Sequence, residues 1–98
     1  MKLRYTRRAR RHLEGIAGYI VERDPRAALR VGQRIHETIE LLEAFPYIGR
    51  EGTLEGTREV VVPTLPYIVV YRVDAAAEII VILGVYHGAQ LRPGQETQ

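Results

Sequence analysis

From Arg58 to Gln90 the chain reads REVVVPTLPYIVVYRVDAAAEIIVILGVYHGAQ, a run of Val, Ile and Tyr that leaves few choices of fold. Branched and flat side chains of this kind suit a pleated, half-buried surface. Short polar or Pro-containing turns divide the run into three apolar segments, Arg58 to Val62, Tyr67 to Val73 and Glu78 to Tyr86. This pattern predicts a three-stranded antiparallel meander. Strict alternation puts Tyr67, Val69, Tyr71 and Val73 on one face of the second strand, with Ile68, Val70 and Arg72 on the other. By the same rule Ile79, Val81, Leu83 and Val85 oppose Ile80, Ile82, Gly84 and Tyr86 in the third. Strands apolar on both faces need cover on both. Helices earlier in the chain supply one cover, and a second protein is a candidate for the other.

Those helices are legible in the first half. Lys2 to Tyr5 alternates charged and bulky residues and predicts a short strand. Thr6 follows as a helix N-cap, and Ala9, Leu13, Ile16, Ala17 and Ile20 form an apolar stripe over four to five turns. Asp24-Pro25 ends this helix and caps the next, which is expected from about Pro25 to Ala44 with Ala28, Val31, Ile35, Ile39 and Leu42 inward. A connection this short makes the two an αα-hairpin. Gly32 costs the second helix roughly 1 kcal/mol relative to Ala and is explained if it lets the first helix approach closely. Phe45-Pro46 closes the helix, and Tyr47 to Thr57 reads as a Gly-containing loop. The order is β-α-α-β-β-β, an α+β domain with a helical hairpin packed on one face of a small, mostly antiparallel sheet. Residues 1–93 are expected to form this single domain, and residues 94–98 a frayed tail.

Composition narrows the chemistry. The 98 residues are 46% hydrophobic and 27% charged, which is globular rather than disordered composition. With no cysteine there is no disulfide framework, thiolate nucleophile or cysteine-based zinc site. No apolar run reaches the roughly 18 to 20 residues of a membrane span, and the N-terminus lacks a signal-peptide core, so a soluble cytoplasmic protein is expected. No phosphate-binding glycine loop or metal-binding motif is present, and His12, His36 and His87 have no metal-ligand spacing, so no cofactor or metal is expected. The net charge is only +2, yet Lys2, Arg4, Arg7, Arg8, Arg10 and Arg11 crowd the first eleven residues without an acid. That cluster is either a solvated helix face or the electrostatic footprint of an acidic partner or nucleic acid.

Four residues qualify as candidates for chemistry. His87, with Tyr86 beside it, ends the last strand; an imidazole there suits proton transfer, or else holds a neighbouring backbone group. Arg58 and Arg72 lie on strands near tyrosines and can grip phosphate, or serve structure, Arg72 by pairing with Glu78 or Glu59. The carboxylates are scattered, and no pair is poised for acid–base work.

The segments GTREVVVPTLPYIVVYRVD and EIIVILGVYHGAQ, preceded by a basic β-α-α unit ending in FPYIGREG, resemble the RelE/ParE superfamily of bacterial toxins over Lys2 to Pro93. The motifs that carry the resemblance are an R-x-h-x-V lead from Arg58 to Val62 (h, apolar), a P-Y-x-V-x-Y-R strand from Pro66 to Arg72 and a V-x-H-G ending from Val85 to Gly88. The resemblance implies a toxin of a type II toxin–antitoxin pair, held as a hetero-oligomer by a ParD/RelB-type antitoxin that wraps it. RelE-like members cut mRNA on the ribosome, whereas ParE-like members poison DNA gyrase by binding. Nuclease members usually carry an arginine where Ile68 stands, and a further basic residue where this chain has Gly88, Ala89 and Gln90. Without them the charge of a phosphodiester transition state lacks its stabilisation. The resemblance therefore leans to ParE-like action on gyrase, with Arg7, Arg8, Arg11, Arg58 and His87 as target-binding candidates. The alternatives are a ribosome-dependent endoribonuclease using His87, Tyr86, Arg58 and Arg72, and a non-toxic member that serves only as antitoxin partner.

Overall fold

The structure, a computed structural model, describes residues 1–89. Both the end of the expected domain and the expected tail fall outside the described residues. Strand β1 (Lys2–Tyr5) leads into helices α1 (Arg7–Val21) and α2 (Pro25–Ala44). Four strands follow: β2 (Arg50–Glu51), β3 (Arg58–Val61), β4 (Tyr67–Asp74) and β5 (Ile79–His87). The sheet order is β1-β5-β4-β3-β2; β1 runs parallel to β5 and every other pair is antiparallel. Thus the helical hairpin and the meander both form as the sequence pattern predicts. The loop expected from Tyr47 to Thr57 differs in one respect, since Arg50 and Glu51 pair with Glu59 and Arg58 as the short edge strand β2.

Both helices start on the caps read from the sequence. The Thr6 hydroxyl accepts from the Ala9 N–H at 3.0 Å, and Asp24 accepts from the Arg26 and Ala27 N–H groups at 3.1 and 3.2 Å. Ala9 of α1 and Ile35, Ile39 and Leu42 of α2 meet Val62, Val69, Tyr71, Ile80, Ile82 and Val85 in one core. Ala17, expected in the inward stripe, is exposed. Gly32 is not a close-approach glycine either, because a Cβ there meets nothing within 4 Å. It borders a cleft of about 230 Å³ between the helices, also lined by Leu13, Ile16, Ile20 and Val31.

Strand β5 departs from the alternation expected of it. Val70 pairs with Gly84 but Tyr71 with Ile82, so Leu83 is an extra residue opposite the β4 ladder. Such a bulge moves every later side chain to the other face. Ile80 and Ile82 therefore share the core with Val85, and His87 comes opposite Tyr67 on that same side. Tyr86 pairs with Ile68 on the opposite face, where Ile68, Val70 and Val81 form a buried group separate from the core.

One edge of β5 is also unusual. Strand β1 covers it only as far as Ile82. Beyond that point α1 takes over: the Thr6 hydroxyl donates to the Leu83 carbonyl at 3.2 Å, and His12 Nδ1 accepts from the Val85 N–H at 3.1 Å. Toward the other end of the sheet, on the core face, Tyr71 is fully buried. Its hydroxyl accepts from the Gly49 N–H at 3.0 Å and donates to the Pro46 carbonyl at 2.8 Å, which fixes the chain leaving α2. Position 49 has to be glycine, since a Cβ would stand 2.6 Å from that hydroxyl and 2.8 Å from the Glu59 carbonyl.

Two predictions arise here. Tyr71→Phe leaves a buried N–H and a carbonyl unpaired, at a cost of about 1–3 kcal/mol. Thermal melts should show a loss of roughly 5–15 °C in Tm, and amide exchange should quicken first around Gly49. The second concerns His12, whose pKa is lowered from the ordinary 6.5 by burial first and then by the charges of Arg8 and Arg11. Its stabilising contribution is complete above the unfolded value and is lost as pH falls through and below it. Asn supplies an acceptor at the same place but does not titrate. The Tm difference between wild type and His12→Asn should therefore shrink or reverse on acidification from neutral pH, whereas His12→Ala should be destabilised at every pH.

Candidate functional site

His87 ends β5 on the core face, with its ring edge-to-face against Tyr67 at 5.8 Å between centroids. Its Nδ1 accepts from the Ala89 N–H at 3.1 Å, while the Gly88 N–H donates to the Pro66 carbonyl at 2.6 Å. These bonds tie the strand end to the β3–β4 turn and fix the imidazole. Across from it, α1 presents Arg11, His12, Gly15, Ile16 and Tyr19; together with Tyr67, Val85 and His87 they enclose an open cleft of about 600 Å³. At the mouth the Arg23 guanidinium stacks 3.7 Å above the Tyr19 ring and donates to the Tyr19 carbonyl.

The electrostatics of the cleft come from α1. Arg7, Arg8 and Arg11 are all exposed. None of the three forms an ion pair among the described residues. The positive potential of Arg8 and Arg11 reaches His12, which burial and those two charges hold in the neutral form. Neutrality is also what the Val85 N–H requires of it, because a protonated Nδ1 cannot accept. The cleft thus carries Arg11 and the rings of His12, Tyr19, Tyr67 and His87, with Ile16 and Val85 between them.

The other candidate residues are not drawn into this cleft. Arg58 pairs with Tyr71, four residues along β4 from Tyr67, or about 13 Å from the His87 end at strand rise. Its guanidinium donates to the Gly49 carbonyl at 2.7 Å and lies 5.0 Å from the Tyr47 ring centroid, so it braces the loop after α2. Arg72 points from the opposite face, in register with Val81, and is exposed. The pairing expected for it with Glu78 or Glu59 is not formed among the described residues; buried Glu59 instead takes Arg50 at 3.2 Å. Tyr86, sequence neighbour of His87, lies on the far face because of the bulge. Its ring crosses Gly84 and meets the His12 ring edge-on at 4.9 Å.

Sequence reading missed His12 and Tyr19. His12 was grouped only with the other histidines, although it continues the stripe of Ala9, Leu13 and Ile16 and so had to face the sheet. Tyr19 carried no comparable signal. His36 stands apart, in contact with Glu40 one turn on, and no three metal-ligating side chains come together among the described residues.

Several known proteins are similar to this chain in fold or in sequence. A chain from the chromosomal ParDE TA system of P. aeruginosa superposes with a TM-score of 0.78 at 29% identity, covering 89% of this chain and 95% of that one. The isolated E. coli RelE toxin has the same fold, with a TM-score of 0.68 over 94% of this chain and 87% of its own, at 13% identity. In sequence, the Sinorhizobium fredii protein named "Putative toxin Y4kP" is 40% identical over 82 residues, which are 84% of this chain and 85% of that protein. The family described as ParE toxin of type II toxin–antitoxin system, parDE, matches residues 3–92. The chain belongs to that family, the ParE toxins.

Proposed function

We propose that this toxin arrests growth by binding DNA gyrase, without chemistry of its own, and that a ParD/RelB-type antitoxin encoded beside it neutralises it. The observation that carries this reading is the separation of the would-be catalytic groups. Phosphodiester cleavage needs a proton-transfer group and phosphate-binding cations around one reacting centre. Here His87 is about 13 Å along the strands from Arg58, Arg72 and Tyr86 belong to the other face, and Ile68 is buried and apolar. What remains around His87 is a contact surface. Arg11 lines it, and Arg7 and Arg8 stand exposed earlier on α1.

An antitoxin partner is supported by the company the fold keeps. The P. aeruginosa relative comes from a ParDE toxin–antitoxin system, and a Mycobacterium tuberculosis relative of 27% identity was solved as the toxin–antitoxin complex RelBE2.

Pulse-labelling of DNA and protein synthesis, minutes after the chain is induced without its antitoxin, tests the target. DNA synthesis should stop first while translation continues; an early stop in translation would overturn the proposal in favour of ribosome-dependent mRNA cleavage. Two variants sharpen the contrast. His87→Gln, which cannot move protons as imidazole does but keeps a similar shape, should change toxicity by no more than about twofold, as for a peripheral contact. Charge reversal of Arg8 and Arg11 to Glu should weaken toxicity by about tenfold or more, as expected when steering charges are inverted.

A further inference from the structure

The turn that joins β3 to β4 is held in a form its own residues disfavour. The Leu65 N–H donates to the Val62 carbonyl at 3.2 Å, closing a four-residue turn with Pro63 and Thr64 at its centre. Proline fixes a negative φ at the first central position, and Thr64 follows at φ 64°. That combination is a type II turn, whose second central position calls for glycine or asparagine. A β-branched residue there is an outlier that persists only when its surroundings hold it. Type I, with φ negative at both central positions, accepts a Pro-Thr pair and asks nothing unusual of threonine.

The two forms differ in the orientation of one peptide, here the one joining Pro63 to Thr64. The corners of the turn do not choose between them. Val62 is fully buried and Leu65 packs against the core, so both ends are pinned in either form, with Pro63 and Thr64 exposed between them. The contacts on the central peptide come from α2. Arg34 Nη1 donates to the Thr64 hydroxyl at 2.7 Å and to the Pro63 carbonyl at 3.4 Å. Rotating the peptide into type I would swing that carbonyl to the other side of the turn, away from the guanidinium.

This turn leads directly to the cleft. The Pro66 carbonyl accepts from the Gly88 N–H at 2.6 Å. Tyr67 accepts from the Val62 N–H at 2.9 Å through its carbonyl, and its ring meets His87. We propose that Arg34 is a positioning residue: from α2 it holds the 62–65 turn in type II, and through Pro66 and Tyr67 it keeps the end of β5 in place. Helix α2 lines no part of the His87 cleft, yet by this route it sets one wall of it. The linkage concerns the shape of the cleft and is independent of the target proposed above.

NMR of the purified, isotope-labelled full chain reads both ends of the linkage. The Hα of Pro63 lies close to the Thr64 N–H in type II and farther away in type I, so their cross-peak reports the turn. Exchange of the Gly88 amide reports the strand end. The wild type should show a strong cross-peak. Arg34→Ala, at an exposed position, should lose most of it, and its Gly88 amide should exchange about tenfold faster. Adding Thr64→Gly to Arg34→Ala should restore both, because glycine takes the positive φ unaided. An arginine that merely stabilised the surface would not be replaced by a glycine on another element. A turn unchanged in Arg34→Ala, a Gly88 amide that keeps its exchange rate once the turn has moved, or a double variant no better than the single one would each overturn the proposal.

Discussion

Strand β5 has nine residues and its parallel neighbour β1 only four, so the polar edge of β5 beyond Ile82 must find partners elsewhere. Unpaired backbone groups at a strand edge cost stability when sheltered from water and invite unwanted pairing when exposed. Here α1 closes the edge with side chains: the Thr6 hydroxyl takes the Leu83 carbonyl, and His12 takes the Val85 N–H. Those two bonds set the axial position of α1 against β5. Everything in the cleft depends on that placement, because Arg11 and Tyr19 are carried by the same helix that His12 anchors. Burial, and after it the charges of Arg8 and Arg11, lower the pKa of His12 and so favour the form that can accept. The scaffold and the cleft share one histidine.

The opposite end of the sheet is organised by a phenol. Tyr71 gathers Pro46 and Gly49 onto the core, and Arg58 closes over the same loop through the Gly49 carbonyl. An arginine on a strand beside tyrosines had suggested phosphate binding, yet its donors are engaged with backbone carbonyls. The two halves of the sheet thus do different work. One end is braced from within, and at the other Arg11, His12, Tyr19, Tyr67 and His87 line an open cleft.

Much of this was legible in the residues. Both helices, their Thr6 and Asp24 caps, and the three long strands follow from periodicity and from Pro and Gly positions, because these signals are local. The core role of Tyr71 was legible from the face it shares with Val69 and Val73. The bulge was not, because an extra residue in an unbroken Ile-Val-Ile-Leu run leaves no mark in composition; only the register with β4 reveals it. His12 was hidden for a related reason, since its partner is a backbone group 73 residues away. The family resemblance supplied the residues a nuclease would need, but which of them meet is a matter of geometry. The mismatch around Arg58 and Arg72 appears only once the strands are paired.

The bulge at Leu83 makes the end of β5 tolerant of a change in length. Faces on β5 follow the β4 residues opposite, and Tyr86 stands opposite Ile68 and His87 opposite Tyr67. Removing Leu83 would close the bulge and leave both pairings, and so both faces, as they are. The same nine residues held in a regular ladder would instead turn His87 away from the core side and bring Tyr86 onto it. The extra residue thus absorbs a one-residue difference between the two halves of the strand, and the imidazole keeps its place beside Tyr67.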